Sequence, residues 1–250
     1  MMRTVLIVVI ATLLAGCTAT EPPTPRQRMA DSEVAKRSIT LAVGYLRQRD
    51  FAKAKDNLQK ALQLDPRNPL ALTTLGVTYQ LEGELELADD QFRKAISSDP
   101  DFPQARNNYA GFLFAQERYA EAETHWRAAA ADTFFQLRPQ VFANLGRTYQ
   151  QLGEPGKAEE SFVRAVELNP SLPQALIALA NIRYTQQNYM EAKFYHDRYD
   201  RVAQPSAASL WLCVRLSRVF QDKDREASCG LSLRNIFPAT EEFRQYEASL

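Results

Sequence analysis

The chain has 250 residues, of which 30 are basic and 30 are acidic, so its formal net charge at pH 7 is zero. Apolar residues make up 45% and charged residues 24%, which excludes a chain that is disordered throughout. Three cysteines are too few for a disulfide scaffold, and two histidines leave little material for a metal or acid–base site. Because there is no long basic run, the sequence predicts no nucleic-acid partner.

The N-terminus predicts a signal peptide at residues 1–16. Arg3 supplies a positive start, and the run from Val5 to Leu14 is apolar except for one Thr. As a helix of about 12 residues this run would span roughly 18 Å, against roughly 30 Å of bilayer hydrocarbon, so it does not predict a membrane span. The sequence Leu14-Ala15-Gly16-Cys17 resembles a bacterial lipobox. The alternative is an ordinary secreted chain in which the cysteine is there by chance.

The lipobox resemblance implies that Cys17 is the first mature residue and carries a diacylglycerol and an N-acyl chain. Two or more acyl chains hold a protein stably on a bilayer, since each buried methylene contributes about 0.8 kcal/mol. In Gram-negative lipoproteins an Asp after the acylated Cys commonly causes retention in the inner membrane, whereas Thr18 follows here. The resemblance therefore implies an outer-membrane anchor on the periplasmic face, with no cofactor beyond these lipids. Three prolines predict an extended tether over residues 17–34.

From residue 35 onward the sequence repeats itself. Apolar and small residues recur at three- and four-residue steps, which places them on one face of each of two successive helices. The intervals are identical in two stretches: Leu72, Leu75-Gly76, Tyr79, Ala88, Phe92, Ala95 and Pro100, and Phe142, Leu145-Gly146, Tyr149, Ala158, Phe162, Ala165 and Pro170.

This pattern resembles the tetratricopeptide (TPR) repeat, a helix-turn-helix unit of 34 residues. A single pair of amphipathic helices cannot bury its apolar face, so the units must stack. We expect an all-α solenoid, a right-handed superhelix of about six repeats, followed by a C-terminal tail at residues 239–250. The last two units match the pattern less well, as terminal units of solenoids often do. The predicted units are 35–68, 69–102, 103–136, 139–172, 173–206 and 207–238.

The resemblance also implies which residues face the concave surface, because in TPR arrays this surface comes mainly from positions 2, 5, 9, 12 and 13 of each unit's first helix. In the first two units these positions are unusually apolar, whereas later units carry more amides. Such a groove suits an extended peptide or a helix. The alternative is that its first residues pack on the N-terminal segment or a neighbouring element. The candidate groove residues are Ile39, Val43, Leu46, Leu70, Val77, Leu81, Asn107, Asn108, Asn144 and Arg147.

The remaining candidates for chemistry are weak. His125 and His196 lie far apart, at or beside aromatic packing positions, which favours a packing role, and there is no phosphate loop or nucleophile motif. We therefore expect neither an enzyme, nor a metal site, nor a small-molecule substrate. Cys213 and Cys229 lie on the two helices of the sixth unit, where a disulfide and two buried free thiols both remain open.

Lipobox, proline-rich segment and about six TPR units together resemble the family of type IV pilus biogenesis lipoproteins, the pilotins of the pilus secretin. More particular marks are the segment 107–113 (NNYAGFL), the interrupted loop 132–135 and the segment 142–146 (FANLG). Ala110 stands where the family usually has Gly. The resemblance implies a non-enzymatic assembly factor that binds secretin subunits of the PilQ type and promotes their insertion and multimerisation in the outer membrane. The alternative is a lipoprotein scaffold for peptidoglycan enzymes or for outer-membrane protein assembly.

Overall fold

The computed structural model describes residues 24–250. In that range the chain forms thirteen α-helices and no strand, and none of these helices combines the length and apolarity that crossing a bilayer requires. The helices are α1 (Pro25–Arg47), α2 (Phe51–Leu64), α3 (Pro69–Glu82), α4 (Leu85–Ser98), α5 (Pro103–Ala115), α6 (Tyr119–Ala131), α7 (Arg138–Gln151), α8 (Pro155–Leu168), α9 (Pro173–Thr185), α10 (Tyr189–Asp200), α11 (Ala207–Val219), α12 (Lys223–Ile236) and α13 (Glu241–Glu247).

The first twelve helices pair as six consecutive hairpins, from α1 with α2 to α11 with α12. The second helix of each hairpin also contacts the first helix of the next one, and first helices touch at α1–α3, α3–α5 and α9–α11. The largest apolar cluster runs from Ala88 to Tyr199, across four hairpins. The predicted all-α helix-turn-helix solenoid is confirmed.

The turn inside each hairpin has the same backbone geometry in all six units. The fifteenth residue of every unit lies in the left-handed region, with φ between 58° and 87°. Only two of these residues are glycines, Gly83 and Gly153, and the others accept a conformation that L-residues rarely adopt. The two units with degenerate sequence patterns therefore share the turn of the regular ones. The remaining four residues are Arg49, Glu117, Gln187 and Gln221.

Within a hairpin, the two helices approach each other most closely at small residues. A Cβ added to Gly76 would lie 3.0 Å from the ring of Phe92, and one added to Gly146 would lie 2.7 Å from the ring of Phe162. Both phenylalanines are fully buried. The absence of a Cβ on the first helix is thus what allows the aromatic ring of the second helix to pack against its backbone.

The first helix begins earlier than the sequence pattern predicted. Helix α1 starts at Pro25, so the predicted extended tether is wrong for residues 25–34. Proline is compatible with the first turn of a helix because the N–H that it lacks has no partner there. The Thr24 hydroxyl caps this turn by accepting a hydrogen bond of 3.2 Å from the Gln27 N–H. The predicted signal peptide, Cys17 and the first part of the tether lie outside the described residues.

The predicted C-terminal tail is also incorrect as a description of residues 239–250, since α13 lies within it and packs on α11 and α12. Phe243 and Tyr246 are buried in one cluster with Leu233 of α12. Gly230 makes room for this contact, because a Cβ at that position would lie 2.2 Å from the Tyr246 hydroxyl. The helix therefore covers the apolar end of the stack.

We predict opposite effects for two glycine-to-alanine substitutions. In Gly146→Ala the added methyl collides with Phe162, and we expect the free energy of unfolding to fall by about 1–3 kcal/mol. In Gly156→Ala nothing lies within 4 Å of the new Cβ, so helix propensity should leave stability unchanged or raise it by up to about 1 kcal/mol. Urea denaturation followed by circular dichroism measures both. Equal stability of the two variants would contradict the close-approach argument.

Candidate protein-binding groove

A groove opens on the side of the stack formed by the first helices of units one to three. Its volume is about 540 Å³, which is in the range of ligand-binding clefts. None of the residues that line it is charged. They are Val43 and Leu46 of α1, Leu70, Thr73, Thr74 and Val77 of α3, Phe102, Pro103, Gln104 and Asn108 at and in α5, and Phe135.

The groove presents apolar surface with few unpaired polar groups. Val43 is 36% exposed and Leu70 is 41% exposed, although both are aliphatic. The Thr73 hydroxyl donates to the Pro69 carbonyl at 2.6 Å and the Thr74 hydroxyl to the Leu70 carbonyl at 2.7 Å. Because each threonine hydroxyl already has an acceptor within its helix, a ligand that covers it leaves no buried donor without a hydrogen bond. The groove therefore favours apolar contact and shape over charge.

One wall of the groove comes from the loop between units three and four. This loop, residues 132–137, lies where two extra residues, 137 and 138, interrupt the repeat, and it brings Phe135 to the groove. The Asp132 side chain accepts a hydrogen bond of 2.8 Å from the Phe134 N–H, and the Asp132 carbonyl accepts one of 3.3 Å from the Phe135 N–H. The repeat spacing indicates the interruption, but it does not predict that Phe135 lines the groove. The feature of the sequence that could have indicated this role is the pair of aromatic residues, Phe134 and Phe135, next to polar residues of the loop.

Five predicted groove residues are brought together in this cavity, and one was wrongly assigned. Ile39 is only 4% exposed and packs in the core of unit one with Leu58, so it is not available to a ligand. Leu81 is 49% exposed but does not line the cavity. The five residues that do meet there are Val43, Leu46, Leu70, Val77 and Asn108.

The other three predicted residues lie outside this cavity. Asn107 has a packing role, because its Oδ1 accepts a hydrogen bond of 3.2 Å from the Trp126 indole N–H. The Arg147 guanidinium lies over the ring of Phe114 at 4.9 Å, and Asn144 is half-buried on the same helix, α7. The structure thus brings Asn108 together with the apolar positions and separates Asn107, Asn144 and Arg147 from them.

One cluster within residues 24–250 has the composition of a metal site, formed by His196, Asp197 and Asp200. A guanidinium already occupies it, since Arg225 donates to Asp197 at 2.7 Å and to Asp200 at 3.3 Å. Burial alone would raise the pKa of Asp197, but hydrogen bonds from Lys193 and Arg225 lower it below its ordinary value. The cluster is therefore an ion-paired contact between units five and six.

Both histidines pack between helices. His196 is buried, and its Nε2 lies 2.9 Å from the Ser209 carbonyl in the next unit. The ring of His125 lies 4.7 Å from the ring of Tyr109. Burial, followed by the charge of Arg106, lowers the pKa of His125 below its ordinary value. Neither imidazole is among the residues that line the groove.

The two cysteines of unit six form a disulfide bond. The Sγ atoms of Cys213 and Cys229 are 2.01 Å apart, and the Cα atoms are 6.2 Å apart. The bond joins α11 to α12, and Cys213 is buried. Of the two states that the sequence left open, the structure contains the bridged one.

Comparison with protein families places the repeats in a known class. Models of the tetratricopeptide repeat match residues 35–68, 57–90, 82–134 and 139–172. The first and last of these ranges have the same bounds as two of the predicted units.

Comparison of the whole chain with known proteins shows which family of TPR proteins it is similar to. The type IV pilus assembly protein PilF of Pseudomonas aeruginosa is 35% identical over 247 residues, which cover 98% of each chain. The chain belongs to the PilF family. It is therefore a TPR protein of type IV pilus biogenesis.

Two solved structures of this family superpose on the chain. The structure of PilF from Pseudomonas aeruginosa has a TM-score of 0.85 at 36% identity and covers 88% of this chain and 100% of that one. The structure of PilW, described as a widely conserved type IV pilus biogenesis factor, has a TM-score of 0.72 at 27% identity. It covers 86% of this chain and 98% of that one. The likeness to the PilF family thus extends over nearly all of the described helices.

We predict that replacing both Cys213 and Cys229 by serine loosens unit six. Closing a loop with a sequence separation of 16 contributes about 3 kcal/mol through the entropy of the unfolded chain. Hydrogen exchange should therefore become faster in α11 and α12, while α7 and α8 of unit four remain protected. Reductant should reproduce the effect in the wild-type protein and leave the variant unchanged. If reductant leaves exchange in wild-type unit six unaltered, the disulfide contributes nothing.

Proposed function

We propose that this chain is a non-enzymatic outer-membrane lipoprotein that binds secretin subunits of the type IV pilus in the apolar groove and promotes their multimerisation. The observation that carries the proposal is the uncharged groove of about 540 Å³ across units one to three. Family membership supports a role in pilus biogenesis, and the secretin is the outer-membrane component that the resemblance of the sequence implies.

The groove fits a polypeptide better than a small substrate. It is formed by the first helices of three successive units, so a segment lying in it contacts α1, α3 and α5 at once. Recognition of a helix or strand in this way relies on apolar anchors at regular spacing. Burial of one Val or Leu side chain contributes about 1.5–3 kcal/mol, so two or three anchors are enough for a specific complex.

The lining supports a binding role without catalysis. It contains no Asp, Glu, His, Lys, Cys or Tyr, so no general base lies beside its two threonine hydroxyls, which donate to helix carbonyls. Its polar end consists of Gln104 and Asn108, which share a hydrogen bond of 3.3 Å. The surface is suited to holding a partner.

The lipid anchor that we propose at Cys17 would keep the groove near the membrane. The seven steps from residue to residue between Cys17 and Thr24 span at most about 25 Å. Along α1, the distance from Pro25 to Val43 is about 27 Å. A groove within roughly 50 Å of the bilayer surface would meet secretin subunits before they insert.

We predict that Val43→Asp abolishes the function while the protein stays folded. A carboxylate in the apolar groove removes one anchor and must itself be desolvated, so affinity for purified secretin subunits should fall by about tenfold or more. The matched control is Leu41→Asp, on the same helix, where the side chain is 54% exposed and does not line the groove. Denaturant-resistant secretin multimers in outer-membrane fractions should disappear with the first variant only.

The same experiment distinguishes the alternative function. If the Val43→Asp strain keeps normal secretin multimers, the secretin proposal is wrong. A defect in cell-wall integrity in that strain would instead favour a scaffold for envelope enzymes. An equal loss of multimers with Leu41→Asp would show that the effect is not specific to the groove.

For the anchor, we predict that Cys17→Ala prevents labelling of the protein by radioactive palmitate. Thr18→Asp should leave labelling intact but move the protein to inner-membrane fractions, since Asp after the lipidated residue is the retention signal. Fractionation on a density gradient measures both. Labelling of Cys17→Ala, or release of the wild-type protein by salt alone, would contradict lipidation.

A further inference from the structure

The residues at the inner positions of the stack carry a net positive charge, whereas the whole chain has a net charge of zero. Positions 2, 5, 9, 12 and 13 of the six first helices comprise thirty residues, and several of them line the groove described above. None of the thirty is acidic, although an even distribution of the 30 acidic residues over 250 would place three or four there. Five are basic. They are Lys36, Arg47, Arg147, Arg215 and Arg218.

Three of these five residues, Arg147, Arg215 and Arg218, lie away from the apolar groove, in units four and six. The ninth residue of the first helix changes from apolar or small in the first three units to polar or basic in the last three. At this position, the half of the surface formed by α7, α9 and α11 is therefore polar and basic, whereas the half formed by α1, α3 and α5 has no charged residue. In chain order the six residues are Val43, Val77, Gly111, Arg147, Asn181 and Arg215.

Arg215 is held by aromatic rings rather than by an acid. Its guanidinium lies 4.5 Å from the ring centroid of Tyr184 and 5.5 Å from that of Trp211. One terminal nitrogen donates to the Asn181 side chain at 3.2 Å, whereas the buried Nε has no partner in residues 24–250. No carboxylate of the described chain lies within 4.0 Å, and burial lowers the pKa of this guanidinium below its ordinary value. A partly desolvated guanidinium that has no carboxylate partner binds an anion strongly.

Arg147 has a similar environment two units away. It is exposed, lies over the ring of Phe114 at 4.9 Å, and has no carboxylate within 4.0 Å among the described residues. Other arginines of α9 and α11 are already paired. Arg183 is bound by Glu159 and, at 2.7 Å, by Glu191, and Arg218 donates to Glu226 at 2.6 Å. Arg147 and Arg215 are thus the two positions in this half where an external anion would find an unpaired guanidinium.

We propose that the inner face of units four to six binds an extended acidic peptide segment of a partner protein, with one carboxylate on Arg147 and another on Arg215. Helix α9 lies between the two arginines, so they are on the order of 20 Å apart, which is too far for one small anion to bridge. An extended chain rises about 3.3 Å per residue and covers this distance in about six residues.

The surface between the two arginines is equipped for a peptide backbone. Gln150 offers an exposed side-chain amide along the path, whereas the Asn181 amide already accepts from Arg215 and donates to the Ile177 carbonyl. A cavity of about 430 Å³ opens beside Gln150 and Asn181 and has room for a side chain of the ligand. Its wall contains Ile182 and also Glu159, whose carboxylate is paired with Arg183. This docking surface is separate from the apolar groove and does not depend on what occupies that groove.

A peptide-display selection tests the proposal with a random library, so the partner protein need not be identified first. Random twelve-residue peptides are selected on wild-type protein, on Arg147→Gln/Arg215→Gln and on the matched control Arg127→Gln/Arg164→Gln, whose arginines lie on second helices and are paired with Glu123 and Glu167. We expect peptides with two acidic residues about six apart from the wild-type protein and the control, and none from the Arg147/Arg215 variant. A synthetic winner should bind the variant at least about tenfold more weakly, and less tightly at high salt.

A further variant separates charge from packing. Arg215→Lys keeps the charge but lacks the planar group that stacks on Tyr184 and Trp211, so it should restore part of the affinity that Arg215→Gln loses. Unchanged melting of each variant shows that the fold is intact. If selected peptides are not enriched in acidic residues, or are equally enriched on the Arg147→Gln/Arg215→Gln variant, the proposal is overturned. Arginine-dependent binding of phosphatidylglycerol vesicles in place of peptides also overturns it.

Discussion

The close approach of the two helices in each unit is the constraint on which the rest of the structure depends. Gly76 and Gly146 allow the rings of Phe92 and Phe162 to lie against the backbone of the first helix. This contact sets the distance between the two helices, and the left-handed residue at position 15 of every unit closes the turn between them. As a result, successive first helices lie side by side, and residues of α1, α3 and α5 can meet in one groove.

Polar contacts between units then determine how these inner positions align. Asp89 of unit two accepts hydrogen bonds from the Tyr109 hydroxyl at 2.9 Å and from Arg118 at 3.0 Å, both in unit three. Glu123 of unit three likewise accepts a hydrogen bond of 2.9 Å from the Tyr149 hydroxyl of unit four. Burial and this bond raise the pKa of Tyr149 to about 12, so the hydroxyl remains a donor at neutral pH. Such contacts fix the position of unit three on unit two and of unit four on unit three.

The fold could be predicted largely from the sequence because a repeat is a local pattern. Helices α3, α5 and α9 each begin at the first residue of a predicted unit, where a proline stands. The same rule failed at Pro25, which was interpreted as part of an extended tether. It is the first residue of a helix: proline is compatible with both conformations, and here the Thr24 hydroxyl caps the first helical turn. Likewise, Ile39 and Val43 have equally apolar side chains, and only the described packing buries the first and exposes the second.

By itself, the sequence determined the class of the fold, the succession of units, the family and most of the apolar residues of the groove, because helical periodicity and repeat spacing depend on neighbours within about 34 residues. The tertiary structure decided what those residues form together. Val43 of unit one and Phe135 after unit three meet in one groove although they are far apart in the chain, and Arg215 stacks on Tyr184 of the preceding unit. It also decided which arginines have no acidic partner. These properties depend on the rotation from one unit to the next, which arises from contacts between units and is not contained in the pattern of any single repeat.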